Sequence, residues 1–198
     1  MSARRPKELS TLLLFIFAHC HGQTDATDAE IVMYSVNSGS VGNLGGRSGA
    51  DALCNSGKPD ALSHLAQVHA FLSVSSSDTI KDMPENYNVH AGATIRGPNG
   101  NAIASHWDDL LDGAILTSLQ SAGVENVTGF IDVVRWWSGS EPDGLLTTDH
   151  CIGWTQNAAG SGSEGLGRYG RLDKIDSQWI EAYSSSCNVT NNFLCVAY

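Results

Sequence analysis

Basic residues are scarce. The chain carries 11 Lys and Arg against 21 Asp and Glu over 198 residues, a formal charge of −10. An acidic surface of this kind repels phosphate and sulfate polymers, so neither nucleic acid nor heparin-like glycan is an expected partner. No CxxC pair and no Cys/His spacing suggests zinc. No GxSxG elbow is present to build a serine hydrolase. The glycine-rich stretch Asn37 to Gly49 lacks the Lys-Ser/Thr pair that closes a phosphate cradle, so it reads as a loop leading into a helix. Self-similarity at a period of 20–50 residues is missing, which argues against propellers and solenoids. Beyond the first 22 residues there is no long apolar run and no C-terminal lipid signal, so no membrane span is expected.

What is present begins with residues 1–22, which read as a secretory signal peptide. Arg4, Arg5 and Lys7 supply the positive start, Leu9 to Ala18 the apolar run, and Cys20 and Gly22 the small residues before cleavage. Residues 23–30 are a polar, acidic lead-in, and residues 31–198 form one domain. Without Arg4, Arg5, Lys7 and Glu8 the counts become 8 against 20, a formal −12. Cleavage also leaves an even cysteine set, Cys54, Cys151, Cys187 and Cys195. In a secreted domain that set reads as two disulfides, for which the sequence allows three pairings.

Ile31 to Val36 is a short β-branched strand, and Ser48 caps a helix over Gly49 to Asn55 with Cys54 on its inner face. Val68 to Ser75 alternates with the period of a strand. Ser77 to Met83 makes a helical turn stopped by Pro84. Pro98-Asn99-Gly100 is a turn, and Ser105 with Asp108 starts a helix that Gly113 ends, with Trp107, Leu110 and Leu111 on its inner side. Val127 to Val134 is a further strand, running to Trp136-Trp137. Gly165 to Gly170 matches GxGxxG but no βαβ unit surrounds it, so it reads as a glycine-rich loop. Short strands, short helices and abundant glycine together predict a loop-rich α+β domain.

Several stretches in fixed order then carry a resemblance: Gly45 to Cys54, Ala70 to Ser73, Ser105 to Leu110, Trp137 to Gly144, Cys151 to Trp154, Cys187, and Phe193 to Val196. Over residues 31–198 the chain resembles the endostatin-like branch of the C-type-lectin-like fold, which includes the collagen NC10/endostatin domain and secreted lectin-like proteins. The resemblance implies two short helices flanking mixed antiparallel sheets under a long loop region. It also implies the pairings Cys54 to Cys195 and Cys151 to Cys187, each contributing about 4–5 kcal/mol at most by loop entropy. The heparin-binding arginines and N-terminal zinc-binding histidines of endostatin have no counterpart here. Only Arg47, Arg96, Arg135, Arg168 and Arg171 remain in the mature chain.

Glu141-Pro142-Asp143 is similar to the Glu-Pro-Asn calcium and sugar motif of C-type lectins, and its carboxylates could supply hard oxygens to calcium. The stretch matching the second half of that motif is Trp179-Ile180-Glu181, which loses an Asn. The competing reading is an ordinary Pro-Asp-Gly turn. Asp149-His150 with a serine such as Ser138 could be called a triad, but serines are everywhere in this chain and no elbow mounts one, and a bridged Cys151 is no nucleophile. The five tryptophans are expected to plug the core, with one left at a binding surface. Asn126-Val-Thr128 and Asn188-Val-Thr190 are glycosylation acceptors in a eukaryotic secretory pathway. The function this supports is a secreted, non-enzymatic extracellular recognition or matrix domain without a cofactor. Its expected partner is a glycan, a matrix protein or a mineral surface. A calcium-dependent, carbohydrate-binding lectin is the alternative, and an uncharacterised hydrolase the third.

Overall fold

The computed structural model describes residues 29–36, 39–127, 134–160 and 164–198. The leader at 1–22, the lead-in up to residue 28, and residues 128–133 of the expected strand at 127–134 lie outside the described residues.

Five strands make the first sheet: β1 (Ile31–Ser35), β2 (Val68–Ala70), β3 (Ile95–Arg96), β4 (Ala102–Ala104) and β8 (Leu194–Ala197), in the order β2-β8-β1-β3-β4. β1 runs parallel to β3, and the other pairings are antiparallel. The second sheet is the antiparallel set β5 (Arg135–Trp137), β6 (Leu166–Arg171) and β7 (Tyr183–Ser186). Helices α1 (Gly46–Ser56), α2 (Met83–Tyr87) and α3 (Trp107–Leu110) complete an α+β domain. Among the described residues no helix is long and apolar enough to cross a membrane.

The first sheet is buried on both faces, and its side-chain alternation divides the core in two. Ile31 and Met33 of β1 join Leu194 and Val196 of β8 around Phe71, Trp107, Trp136 and Trp179. Val32, Tyr34, Cys195 and Ala197 point the other way, onto Cys54, Trp137, Trp154 and Phe193. A period of two with both faces apolar explains why these strands read as continuous hydrophobic runs. All five tryptophans are buried, which corrects the expectation that one lies at a binding surface. Short strands leave wide gaps between elements, and indole rings fill them. Trp136, Trp179 and Phe71 stack with centroids 5.6–6.1 Å apart.

Both disulfides implied by the resemblance are formed. Cys54 on α1 joins Cys195 on β8 at a Cα separation of 5.7 Å, and Cys151 joins Cys187 at 5.8 Å. Gly42 and Gly167 lie against the second bridge, where an added Cβ would collide with Cys151 Sγ. Gly165 to Gly170 falls largely within strand β6 rather than in a loop, because it pairs with β5 on one side and β7 on the other, and the close Trp137 ring leaves room only for glycine at 167.

Three local expectations shift. α1 begins at Gly46, three residues before the expected start, because left-handed Gly45 turns the chain into the helix and Ser48 lies inside it. Pro84 sits in the first turn of α2 and opens that helix instead of stopping one, since a proline needs no donor there. At α3 the cap moves one residue on: His106 Nδ1 accepts from Asp109 N at 3.0 Å, while Ser105 N and Oγ donate to the Asp109 carboxylate.

α1 and β2 are joined by side chains that complete the sheet's edge. Arg47 donates to Ala70 O at 2.7 Å and Leu72 O at 2.6 Å, and grips Asp78 with Nε and Nη2 at 2.9 and 2.7 Å. Asp51, one turn later, accepts from Ala70 N at 2.8 Å. Replacing Arg47 with Ala strands the Asp78 carboxylate and two edge carbonyls, and is expected to cost about 3 kcal/mol. Arg47→Lys recovers only part of this, because an ammonium cannot bridge the same fork of acceptors. Urea titrations of the three proteins check the order.

Candidate functional site

The expected ligand surface centres on residues 141–144. Ser140 pairs with Leu146 across this turn, Glu141 N donates to Leu145 O at 2.8 Å, and Gly144 N donates to Glu141 O at 3.0 Å. Asp143 Oδ1 accepts from Leu145 N at 3.1 Å, an Asx turn that occupies one of its carboxylate oxygens. The turn is moored from below by Ser73. Its hydroxyl donates to Gly144 O at 3.1 Å, meets Ser140 Oγ at 2.6 Å and accepts from Ile80 N at 2.9 Å.

Glu141 does not stand alone. The chain brings it against Glu181, the residue that ends the Trp179-Ile180-Glu181 stretch. Glu181's carboxyl is held above the usual glutamate range, first by burial and then by the Glu141 charge, against the pull of Arg168. Arg168 on β6 lies 3.6 Å from Glu181 and 3.9 Å from Asp149. Its Nε is buried and has no hydrogen-bond partner among the described residues. Asp149 in turn accepts a short hydrogen bond from Ser184 Oγ. Two carboxylates thus flank one guanidinium, both beyond hydrogen-bond distance. This is a site with unspent polar capacity rather than a satisfied ion-pair network.

The triad arrangement is not assembled. His150 Nδ1 accepts from Gly153 N at 2.7 Å, Asp149 is committed to Ser184 and Arg168, and Ser138 is fully buried in the serine cluster. Cys151 is bridged. Among the described residues no group of three or more His, Cys, Asp or Glu is arranged to hold a metal ion. Asn188 is exposed in the turn after β7, open to modification. Asn126 is partly buried and its Oδ1 accepts from Asn192 Nδ2 at 3.1 Å.

Residues 151–154 form a left-handed turn, with φ of 49°, 51°, 62° and 63° at Cys151, Ile152, Gly153 and Trp154. Such a conformation costs about 1–2 kcal/mol per ordinary residue. Its ends hold it in place: Trp154 Nε1 donates to Ser73 O at 2.7 Å, and Trp154 O accepts from Leu44 N at 2.9 Å. Between these anchors Ile152, a β-branched residue, is presented half-exposed.

A second cluster escaped the sequence reading altogether. His69 on β2 places Nδ1 3.1 Å from Asp51 Oδ2 and stacks on Tyr87 with centroids 4.3 Å apart. The Tyr87 hydroxyl donates to Asp78 at 2.9 Å, and Arg47 covers the same ring at 5.2 Å. Tyr198, the last residue, donates to Tyr87 O at 2.7 Å. Tyr87 and Tyr198 are both pushed up to about 12, mainly by burial, so both phenols stay neutral. The spacing of Arg47 and Asp51, one helical turn apart, was the available signal.

Two measurements test this geometry. The folded state binds the Glu181 proton more tightly than the unfolded chain does. The resulting stabilisation is complete at acid pH and is lost as pH rises through the raised folded value. Glu181→Gln is therefore expected to melt above the wild type at pH 7, with the gap closing towards pH 4 in calorimetry. Ile152→Gly removes left-handed strain from a half-exposed side chain and is expected to stabilise by about 1 kcal/mol in chemical denaturation.

No protein-family model matches this chain, and no curated protein matches it either.

Proposed function

We propose that this chain is a secreted, non-enzymatic extracellular recognition or matrix domain of the C-type-lectin-like, endostatin-like kind. Its ligand face is the turn at 141–144 together with the loop between Cys151 and Cys187. The observation that carries this reading is the Glu141–Glu181 carboxyl pair beside Arg168 and Asp149, mounted on a frame stapled by two disulfides. Perturbed charge at the rim of a rigid scaffold is where binding sits. The separation of Asp149, His150 and Ser138 into different hydrogen-bond systems supports the non-enzymatic reading.

Calcium-dependent carbohydrate binding is the second reading, favoured by the meeting of Glu141 with Glu181. Those are the residues that fall at the two halves of the lectin-like motif. A cation entering there would displace Arg168 and hold both glutamates ionised. A glycan array run with calcium and with chelator separates the two readings. On the second, millimolar calcium raises the melting temperature of the wild type and leaves Glu141→Gln/Asp143→Asn unmoved. Melting that ignores calcium in both proteins leaves 141–144 as a turn only.

A further inference from the structure

Three places in the chain set an Asn or Asp directly before Gly: Asn99-Gly100, Asp112-Gly113 and Asp143-Gly144. We infer that the second is a site of spontaneous covalent modification, at which Asp112 converts to isoaspartate in the folded protein while the other two pairs are protected. The inference does not depend on the ligand-face reading of 141–144.

The chemistry needs no enzyme and no reagent but water. The Gly113 amide nitrogen bonds to Asp112 Cγ, and the amide proton leaves with the carboxyl hydroxyl as water. The product is a five-membered succinimide. Water then adds to one of its two carbonyls. Opening at the main-chain carbonyl leaves the chain running through Cγ, so the backbone gains one carbon and the former main-chain carbonyl becomes the free carboxylate. One water is lost and one regained, and nothing is oxidised or reduced. Glycine on the carbonyl side of the ring permits this because no Cβ obstructs the approach of its nitrogen.

All three pairs share one local geometry, so they act as controls for each other. Each first residue makes an Asx turn: Asn99 Oδ1 accepts from Asn101 N at 3.0 Å, Asp112 Oδ1 from Ala114 N at 3.2 Å and Asp143 Oδ1 from Leu145 N at 3.1 Å. What differs is the glycine nitrogen that must attack. Gly100 N donates to Gly97 O at 2.9 Å and Gly144 N to Glu141 O at 3.0 Å. Gly113 N has no acceptor among the described residues. Attack at 99 or 143 must first break a hydrogen bond, and attack at 112 breaks none.

The surroundings act in the same direction. Asn99 Nδ2, which would have to leave as ammonia, donates to Ser121 O at 2.9 Å. Gly144 O is held by Ser73 Oγ and Lys81 N, and a Cβ at Gly144 would lie 2.9 Å from Leu111 Cδ1. At Gly113 a Cβ would meet nothing within 4 Å, and Asp112 is exposed to the water that the second step consumes. Leu111 immediately precedes Asp112, so the extra backbone carbon is inserted next to a residue that packs against the 141–144 turn.

Prolonged incubation of the mature, disulfide-intact protein at neutral pH and 37 °C, followed by peptide mapping, tests this. Isoaspartate is read as a peptide of unchanged mass and shifted elution that accepts a methyl group from an isoaspartyl methyltransferase. The reduced chain in guanidinium chloride supplies each pair's unprotected rate. Relative to that reference, Asp112 in the folded protein is expected to convert at least about tenfold faster than Asn99 or Asp143. Asp112→Glu, whose ring would need six members, is expected to remove the methyl-accepting peptide from the folded protein. The inference is overturned if folded Asp112 stays unchanged over a period in which the unfolded chain converts. Equal relative rates at the three pairs, or a methyl-accepting signal that survives Asp112→Glu undiminished, overturn it as well.

Discussion

The open edge of the five-stranded sheet is the point on which this domain turns. β2 contributes three residues, and its outward-facing peptide groups would otherwise meet water or another chain. Arg47 and Asp51 act as a surrogate strand: one supplies donors to Ala70 O and Leu72 O, the other an acceptor for Ala70 N. The same guanidinium holds Asp78 by two bonds and lies over Tyr87. One side chain therefore ties α1, β2, the turn at 75–78 and α2 together. Seven residues along from Arg47, Cys54 anchors the helix covalently to β8, the neighbour of β2. A helix fixed by hydrogen bonds near one end and a disulfide near the other has no freedom to slide against the sheet.

The smaller sheet is held by a different means. Its strands carry the tryptophans that fill both halves of the core, and glycines at 167 and 170 let those indoles come close. The Cys151–Cys187 bridge and Trp154 pin the left-handed turn at 151–154 from both sides. Residues held in a costly conformation persist only where their surroundings over-determine them, and here the surroundings are a disulfide and a buried ring. On this base Glu141, Glu181, Asp149 and Arg168 are brought together from four separate segments.

The two surfaces differ in chemistry. The one at 141–144 concentrates charge, with Glu181 and Asp149 both set beside the Arg168 guanidinium. Beside β2 the charge is paired off instead, with Arg47, His69 and Tyr87 engaging the Asp51 and Asp78 carboxylates.

Sequence alone determined the elements whose signal is local or covalent. The β-branched run at 31–35, the turn at Pro98-Asn99-Gly100 and the inward face of Trp107 and Leu110 follow from side-chain period and turn chemistry. The even cysteine count pointed to two bridges, and the order of motifs implied which cysteines pair. Helix starts were less legible, because Gly45 and Pro84 can open or close a helix and only the packed chain chooses. The meeting of Glu141 with Glu181, 40 residues apart, and of Arg47 with Asp78, 31 apart, was not legible at all. No periodicity connects such pairs. They arise when strands from distant parts of the chain are laid side by side, so the tertiary structure decided which charges meet.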